Sequence, residues 1–246
     1  MHLATRVRFD APAELYDDDP NMGGKVAATV SEAMMGDILR SPARSVTLEI
    51  DLAAGVPIER IEIRNRMQVL ETWRPYQPAD LGRRLRIIWE GSGYRGRGRQ
   101  SVWDGEARLQ GNRFERALPI NLWNLDKRLE QPSPELLTWK ALTTGGFGGA
   151  DVLLADPTAG HLQIRTPFFE TGMDVADIGL EDRVIGTGGG IKRQMRLFRL
   201  PEHNTTMNAS LSRRIELRDD VDNALYVCVT LEDGHLVWSS PTYVMR

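Results

Sequence analysis

The most chemically suggestive segment of this sequence is a short run in which arginine and glycine alternate. Arg95, Arg97 and Arg99 are separated by single glycines, and Trp103 follows. Guanidinium groups bind phosphate and carboxylate through paired hydrogen bonds, and aromatic rings stack on flat or cationic groups. The segment therefore predicts a contact site for an anionic ligand or an acidic partner surface. One alternative stays open: on an extended strand the three side chains would share a face and pair with acidic residues of neighbouring strands.

A second candidate contact surface consists of Trp123 and Asn124, which lie in polar sequence. A chain with six tryptophans on a β-rich scaffold suggests a carbohydrate-binding surface, because an indole offers a broad apolar face. Apolar strand patterns surround half of the tryptophans and predict that these lie in the core. The interpretation assigns Trp89, Trp103 and Trp238 to the core and leaves Trp73, Trp123 and Trp139 as the accessible ones.

Sequence patterns for metal binding and for catalysis are absent. The four histidines are far apart, and no His-x-His, His-Glu-x-x-His or Cys-x-x-Cys occurs. Ser239 and Ser240 lie near His235 without a Gly-x-Ser-x-Gly motif. The glycine-rich residues 186–192 lack the Gly-Lys-Ser/Thr order of a phosphate loop and are interpreted as a hairpin loop. We therefore predict no catalytic residue, no metal and no cofactor for this chain.

Composition narrows the function classes further. A net charge of −3 argues against nucleic-acid binding driven by bulk charge, so no nucleic-acid partner is predicted. The single cysteine, Cys228, excludes a disulfide within the chain and is interpreted as a packed, inert thiol. No apolar run is long enough for a membrane helix and no signal-peptide core begins the chain, so no membrane contact and a cytoplasmic location are expected.

The elements that must position these residues are predicted to be strands. Residues 46–52 and 58–64 alternate apolar and polar side chains, as strands with one buried face do. Residues 225–238 form a predicted hairpin around the turn Asp233-Gly234. Many short strands between glycine and aspartate turns predict an all-β fold: an antiparallel β-sandwich-like domain with long loops and at most one short helix.

Helix and domain boundaries are less sharply marked. Only residues 25–39 carry apolar residues at roughly helical spacing, and Gly36 and Asp37 weaken the pattern, so a helix and an ordered loop both remain open. We interpret residues 1–246 as a single β-rich accessory domain with a weak internal seam near residues 121–134, a stretch that contains prolines.

Several dispersed segments together resemble the C-terminal, β-rich portion of a bacterial protein family related to PHP-type metal-dependent hydrolases. In such proteins a metal-binding catalytic domain precedes the β-rich portion. The resemblance implies that this chain corresponds to the second part alone, and no catalytic residue of the first part has a matching position here. It is carried by residues 22–24, 57–63 with Asn65, 91–100, 103–105, 143–145, 147–149, 178–182, 198–201, 232–235 and 238–241.

Two function hypotheses follow. The first is a non-catalytic accessory or structural domain that packs against or assembles a PHP-like hydrolase domain, or that forms a homo-oligomer. The second is a binding module for a carbohydrate or anionic ligand that uses Arg95, Arg97 and Arg99 with Trp123 and Asn124. In both, any hydrolase activity resides in a domain outside this chain, and the chain alone is not expected to be an enzyme.

Overall fold

The computed structural model describes all 246 residues and confirms an all-β fold, with 58% of residues in strands and 4% in helical turns. It contains several sheets, one of them curled into a half-barrel. None of its helices is long and apolar enough to cross a lipid bilayer. The only helical elements are three single turns: Pro20–Met22, Pro78–Asp80 and Val175–Asp177.

The strands run through the whole chain. The first eleven are β1 (His2–Tyr16), β2 (Val26–Met34), β3 (Ile38–Arg40), β4 (Ser45–Ala53), β5 (Ile58–Asn65), β6 (Gln68–Trp73), β7 (Arg84–Ser92), β8 (Ser101–Val102), β9 (Gly105–Gln110), β10 (Phe114–Ile120) and β11 (Leu129–Ser133). The others are β12 (Leu136–Trp139), β13 (Leu142–Thr143), β14 (Phe147–Leu154), β15 (His161–Arg165), β16 (Glu170–Asp174), β17 (Arg183–Gly186), β18 (Ile191–Leu200), β19 (Asn208–Glu216), β20 (Asn223–Leu231), β21 (Leu236–Trp238) and β22 (Thr242–Met245).

The chain divides into two compact units. The first unit comprises Met1–Pro75 together with Asn204–Arg246, and the second unit, Tyr76–His203, is inserted in sequence between β6 and β19. The seam predicted near residues 121–134 lies inside the second unit, in the connection from β10 to β11 and in β11 itself, rather than at either of these boundaries.

The first unit is built on one ten-stranded sheet. Its main path is β19-β4-β1-β3-β22-β20-β5-β6, with β2 added to β1 and β21 added to β20. The predicted strands over residues 46–52 and 58–64 are confirmed as β4 and β5. Alternate residues of β4 are buried and pack with Ile61, Ile63, Val227 and Val229 in one core. All the pairings are antiparallel except that of β22 with β3.

The second unit is a β-sandwich, as the sequence predicted for the chain. One sheet has the order β10-β14-β7-β18-β17 and the other has the order β11-β12-β9-β15-β16. Buried side chains of both sheets form a single hydrophobic core. At its centre Trp89 of β7 stacks on Trp139 of β12, with the ring centroids 5.0 Å apart and the planes 10° from parallel. A two-stranded ribbon, β8 with β13, completes the unit.

The start of β7 holds two arginines on one carboxylate. Arg84 donates from Nε and Nη2 to Asp151 of β14, and Arg86 donates from Nη2 to Oδ2 of the same residue at 2.6 Å. Arg86 is only 1% exposed. Burial opposes ionisation of Asp151, but the Arg84 hydrogen bonds and the two arginine charges outweigh it and hold the Asp151 pKa below its usual value.

Neither the helix nor the ordered loop that the sequence left open for residues 25–39 is correct, because most of this segment is strand. Val26–Met34 is strand β2, which pairs antiparallel with β1, and Ile38–Arg40 is β3. Ala33 alone of the β2 residues is buried. Because so little of this strand faces a core, its sequence has no period-two alternation, and β-branched Val26, Thr29 and Val30 are its only strand signal.

The closing hairpin is confirmed, but two tryptophan assignments are wrong. Strand β20 pairs with β21, and Gly234 takes the positive φ of 88° that the turn requires. Trp238 is 51% exposed, because it pairs with Cys228 on the sheet face opposite the Val227 and Val229 core. Trp139, expected to be accessible, is only 3% exposed because it packs on Trp89.

Candidate anion-binding site

The arginine–glycine segment is a loop rather than a strand. Strand β7 ends at Ser92 and β8 begins at Ser101, so residues 93–100 have no sheet partner and their arginines share no strand face. Gly96 and Gly98 adopt φ angles of 130° and 68°, which side chains larger than glycine rarely tolerate. The Tyr94 hydroxyl closes the loop, since it lies 3.1 Å from the Arg97 carbonyl oxygen and 3.0 Å from that of Gly98.

Two further glycine-rich segments lie against this loop. The Gly190 amide donates to the Gly93 carbonyl at 2.8 Å, and the Gly91 amide donates to the Gly146 carbonyl at 2.9 Å. We call residues 91–100, 143–149 and 186–193 the glycine–arginine cluster. Twelve of the chain's 23 glycines belong to it: Gly91, Gly93, Gly96, Gly98, Gly145, Gly146, Gly148, Gly149, Gly186, Gly188, Gly189 and Gly190.

Close backbone approach explains why glycine is needed at two of these positions. A Cβ atom on Gly91 would lie 2.1 Å from the carbonyl oxygen of Ile191, and one on Gly189 would lie 2.8 Å from that of Ser92. Both glycines also have positive φ angles, of 83° and 95°. The 186–193 segment can therefore reach the arginine loop only because side chains are absent on both sides of the contact.

The charge of the cluster has one sign. Its three segments contain five cationic residues and no aspartate or glutamate; the cations are Arg95, Arg97, Arg99, Lys192 and Arg193. The first three are exposed and have no carboxylate within 4.0 Å, so the alternative of internal salt bridges is wrong. Arg99 Nε donates to the Thr144 carbonyl at 2.7 Å, beside a cavity of 650 Å³ lined by residues 96–100 and Thr144.

Arg193 forms the fixed side of the cluster. Its guanidinium lies 4.2 Å from the ring centroid of Phe168, and its Nε and Nη2 donate to the hydroxyl and carbonyl oxygens of Thr187 at 2.9 and 3.0 Å. Lys192 precedes it, exposed and with a φ of 35°. The site therefore combines one anchored guanidinium with three exposed ones, all charged at any physiological pH.

Two consecutive buried hydrogen bonds connect the cluster to the sandwich core, and we call them the polar relay. Trp103 Nε1 donates to the Thr143 hydroxyl at 2.8 Å, and that hydroxyl donates to the Gly91 carbonyl at 2.6 Å. Thr143 directly precedes Thr144, the residue that holds Arg99. The relay thereby ties the arginine loop to a fully buried tryptophan of the sandwich core.

The structure does not bring Trp123 and Asn124 to the arginine loop. Trp123 is 78% exposed, as predicted, in the connection from β10 to β11. The Asn124 side-chain oxygen accepts from the Asp126 amide at 2.9 Å, so its role there is to shape the turn. The cavity beside this loop, whose lining includes Leu125, shares no residue with the cavity lined by Arg97 and Arg99.

The residues considered for catalysis or metal binding are dispersed. The structure contains no group of three or more histidine, cysteine, aspartate or glutamate side chains that could hold a metal ion. Ser239 uses its hydroxyl to accept from the Val227 amide at 3.0 Å. Cys228 is buried, and burial raises its pKa to about 12, so the thiol stays protonated and inert at neutral pH.

Sequence reasoning found the arginine loop but missed the cluster. The 186–192 segment is a hairpin loop between β17 and β18, as interpreted, yet it also forms one side of the site. The available signal was the density of glycine in three separate segments that all lack acidic residues. Comparison of the chain with protein-family models, with curated proteins and with solved structures found no match.

Proposed function

We propose that this chain is a non-catalytic accessory module that binds a multivalent anion at the glycine–arginine cluster. One observation carries the proposal: Arg95, Arg97 and Arg99 are exposed and have no carboxylate within 4.0 Å, and two of them, Arg97 and Arg99, line a 650 Å³ cavity that is open to solvent. Like charges held together repel one another unless an anion lies opposite them. A ligand with several phosphate, sulfate or carboxylate groups supplies that counter-charge through charge-assisted hydrogen bonds.

The glycine-rich turns add a second kind of donor, through backbone amides other than those of Gly91 and Gly190, which already donate to carbonyl groups of the cluster. Backbone amides in glycine-rich turns point towards bound anions in many proteins, because no side chain blocks their approach. The 143–149 and 186–193 segments place such turns directly against the arginine loop. These turns favour an anion that penetrates between the loops over one that only touches the arginine tips.

The decisive experiment removes the three exposed charges. Tripolyphosphate and a heparin hexasaccharide are titrated by calorimetry into the wild-type chain and into the triple variant Arg95→Ala, Arg97→Ala, Arg99→Ala. We expect the variant to bind at least about tenfold more weakly, a loss of about 1.4 kcal/mol, which is below the value of a single charged hydrogen bond. Wild-type binding should weaken with salt because the arginines are exposed.

The matched control removes three exposed arginines from the first unit: Arg6→Ala, Arg8→Ala and Arg214→Ala. This variant has the same net charge as the triple variant of the cluster, because each loses three arginines. The ion pairs that it loses, with Glu32, Glu49 and Asp10, are solvent-exposed and weak. It should bind both anions like the wild type. Equal affinities for the wild type and the cluster variant would overturn the proposal.

The accessory role adds a partner to this proposal. A PHP-type hydrolase domain, or a second copy of the chain, would have to present a carboxylate-rich surface to the cluster, and this part of the proposal derives from the sequence resemblance. Sedimentation of the wild type and the triple variant at low and high salt tests the second copy. Association that is lost in the variant and at high salt would favour a protein surface as the anion.

A further inference from the structure

A groove crosses the outer face of the sheet β11-β12-β9-β15-β16 in the second unit, and none of its lining residues belongs to the glycine–arginine cluster. It consists of two adjoining cavities of 430 and 440 Å³ that share Asp104 and Thr138. The core-facing residues of the same strands, Ala107, Leu137 and Ile164, are fully buried in the sandwich. The groove therefore lies on the opposite face, where side chains point away from the core.

Strand register arranges a polar row along this groove. Glu130 pairs with Thr138, Thr138 pairs with Glu106, and Glu106 pairs with Arg165, so one residue from each of four strands lies in line. Three inter-strand spacings make the row about 14 Å long. A ligand that uses the whole row is extended rather than compact.

Asp104 lies where the two cavities meet. Its Oδ1 accepts from the Ala141 amide at 3.0 Å, which fixes the carboxylate, and no cationic side chain lies within 4.0 Å of it. The neighbouring Glu106 also lacks an ion pair. Two half-buried carboxylates thus keep most of their acceptor capacity for groups that enter the groove.

The mixture of charges selects the ligand chemistry. The groove is lined by four carboxylates, Asp104, Glu106, Asp126 and Glu130, and by three cations, Arg128, Lys140 and Arg165. The carboxylates would repel an anionic ligand, and the three cations would repel a cationic peptide. A sugar hydroxyl both donates and accepts hydrogen bonds, so a neutral polyol can satisfy both sets. The loop that supplies Leu125 and Asp126 to the groove also carries Trp123, which is two residues before Leu125 and has a highly exposed indole.

We infer that this groove binds a neutral oligosaccharide, with Trp123 stacking on a sugar face and Asp104 and Glu106 accepting from hydroxyl groups. Indole rings bury large apolar faces at low conformational cost, and the apolar face of a sugar ring is a matching surface. The site shares no residue with the glycine–arginine cluster and does not depend on the function proposed for it.

The test uses neutral hexasaccharides of glucose, xylose and mannose, titrated into the full chain and followed by ligand NMR saturation transfer and by calorimetry. At least one of them should bind, and Trp123→Ala and Asp104→Asn should each weaken it at least about tenfold. Asparagine keeps an acceptor for the Ala141 amide, so folding should persist, which a thermal melt verifies.

Trp238→Ala is the matched control, because Trp238 is the other highly exposed tryptophan and lies in the first unit. It should leave oligosaccharide binding unchanged. The inference is overturned if no hexasaccharide binds at millimolar concentration, or if binding survives both groove variants. Binding that is lost only in the Arg95, Arg97 and Arg99 variant would place the sugar at the cluster and would also overturn it.

Discussion

Strand β7 has arginines at its start and just beyond its end, and the two groups have opposite surroundings. Arg84 and Arg86 are bound to Asp151, in a part of the sheet where little water reaches them. Arg95, Arg97 and Arg99 are exposed and have no carboxylate within 4.0 Å. A buried guanidinium needs a fixed counter-charge because its desolvation is costly, whereas an exposed one is paired with water and can exchange it for a ligand.

The comparison separates stability from binding along a single strand. Substitutions at the start of β7 should change the free energy of unfolding and leave anion affinity unchanged in the folded protein. Substitutions of the arginines beyond the end of β7 should weaken anion binding and leave the free energy of unfolding nearly unchanged. The triple arginine variant of the cluster is the reference case, with an expected stability change close to zero, since exposed arginines without ion pairs contribute little.

The largest effect is expected from Asp151→Asn. This change removes the charge that both Arg84 and Arg86 bind and leaves two guanidinium groups in a poorly hydrated site. We expect a loss of about 3–5 kcal/mol in the free energy of unfolding, measured by urea denaturation. Glu170→Gln, which breaks an exposed pair with Arg165, is the control and should cost less than about 1 kcal/mol. Equal costs for the two variants would contradict the comparison.

An intermediate effect is expected from Gly91→Ala. Gly91 lies at the end of β7, between the arginines expected to affect stability and those expected to affect anion binding. The new Cβ would overlap the Ile191 carbonyl oxygen and would sit on a backbone with a φ of 83°. We expect a destabilisation of more than about 1 kcal/mol, together with loss of tripolyphosphate binding in the folded fraction. Gly146→Ala, whose Cβ would have open space, is the control. Binding retained by Gly91→Ala would show that the contact of the loops is dispensable.

The smallest effect concerns acid. The Asp151 pKa is depressed in the folded state, so its ionised form stabilises the fold above the unfolded pKa of about 3.9, and this contribution is lost as the pH falls through the folded value. Stability measured from pH 5 to pH 2 should therefore fall more steeply in the wild type than in Asp151→Asn. Parallel pH profiles would show that the arginines do not act on this carboxyl group.

The sequence predicted local features better than it predicted non-local ones. The strands over residues 46–52 and 58–64 were identifiable because a strand with one buried face alternates apolar and polar residues. The face of Trp238 was not identifiable, because it depends on the register with Cys228. Edge strand β2 was missed for a related reason: it buries only Ala33 and has no alternation to read.

The candidate site was partly predictable for the same physical reason. Arginine alternation is a local pattern, so Arg95, Arg97 and Arg99 could be selected from the sequence alone. Their lack of carboxylate partners could not, since it depends on which segments the sandwich brings together. The hydrogen bond from Gly91 to Gly146 joins residues separated in sequence by about half the length of the second unit. The bond from Gly190 to Gly93 joins residues separated by about three quarters of that length.

The insertion of one unit into the other has a consequence for synthesis on the ribosome. Strands β4 and β5 emerge early, but their partners β19 and β20 follow only after the whole of Tyr76–His203. The second unit is contiguous and can fold as soon as it leaves the exit tunnel, whereas the first must hold open, apolar sheet edges until the last strands appear. Nascent chains stalled before residue 204 should therefore recruit chaperones at the first unit, and refolding should show a slow phase there, as pairing across long loops is slow.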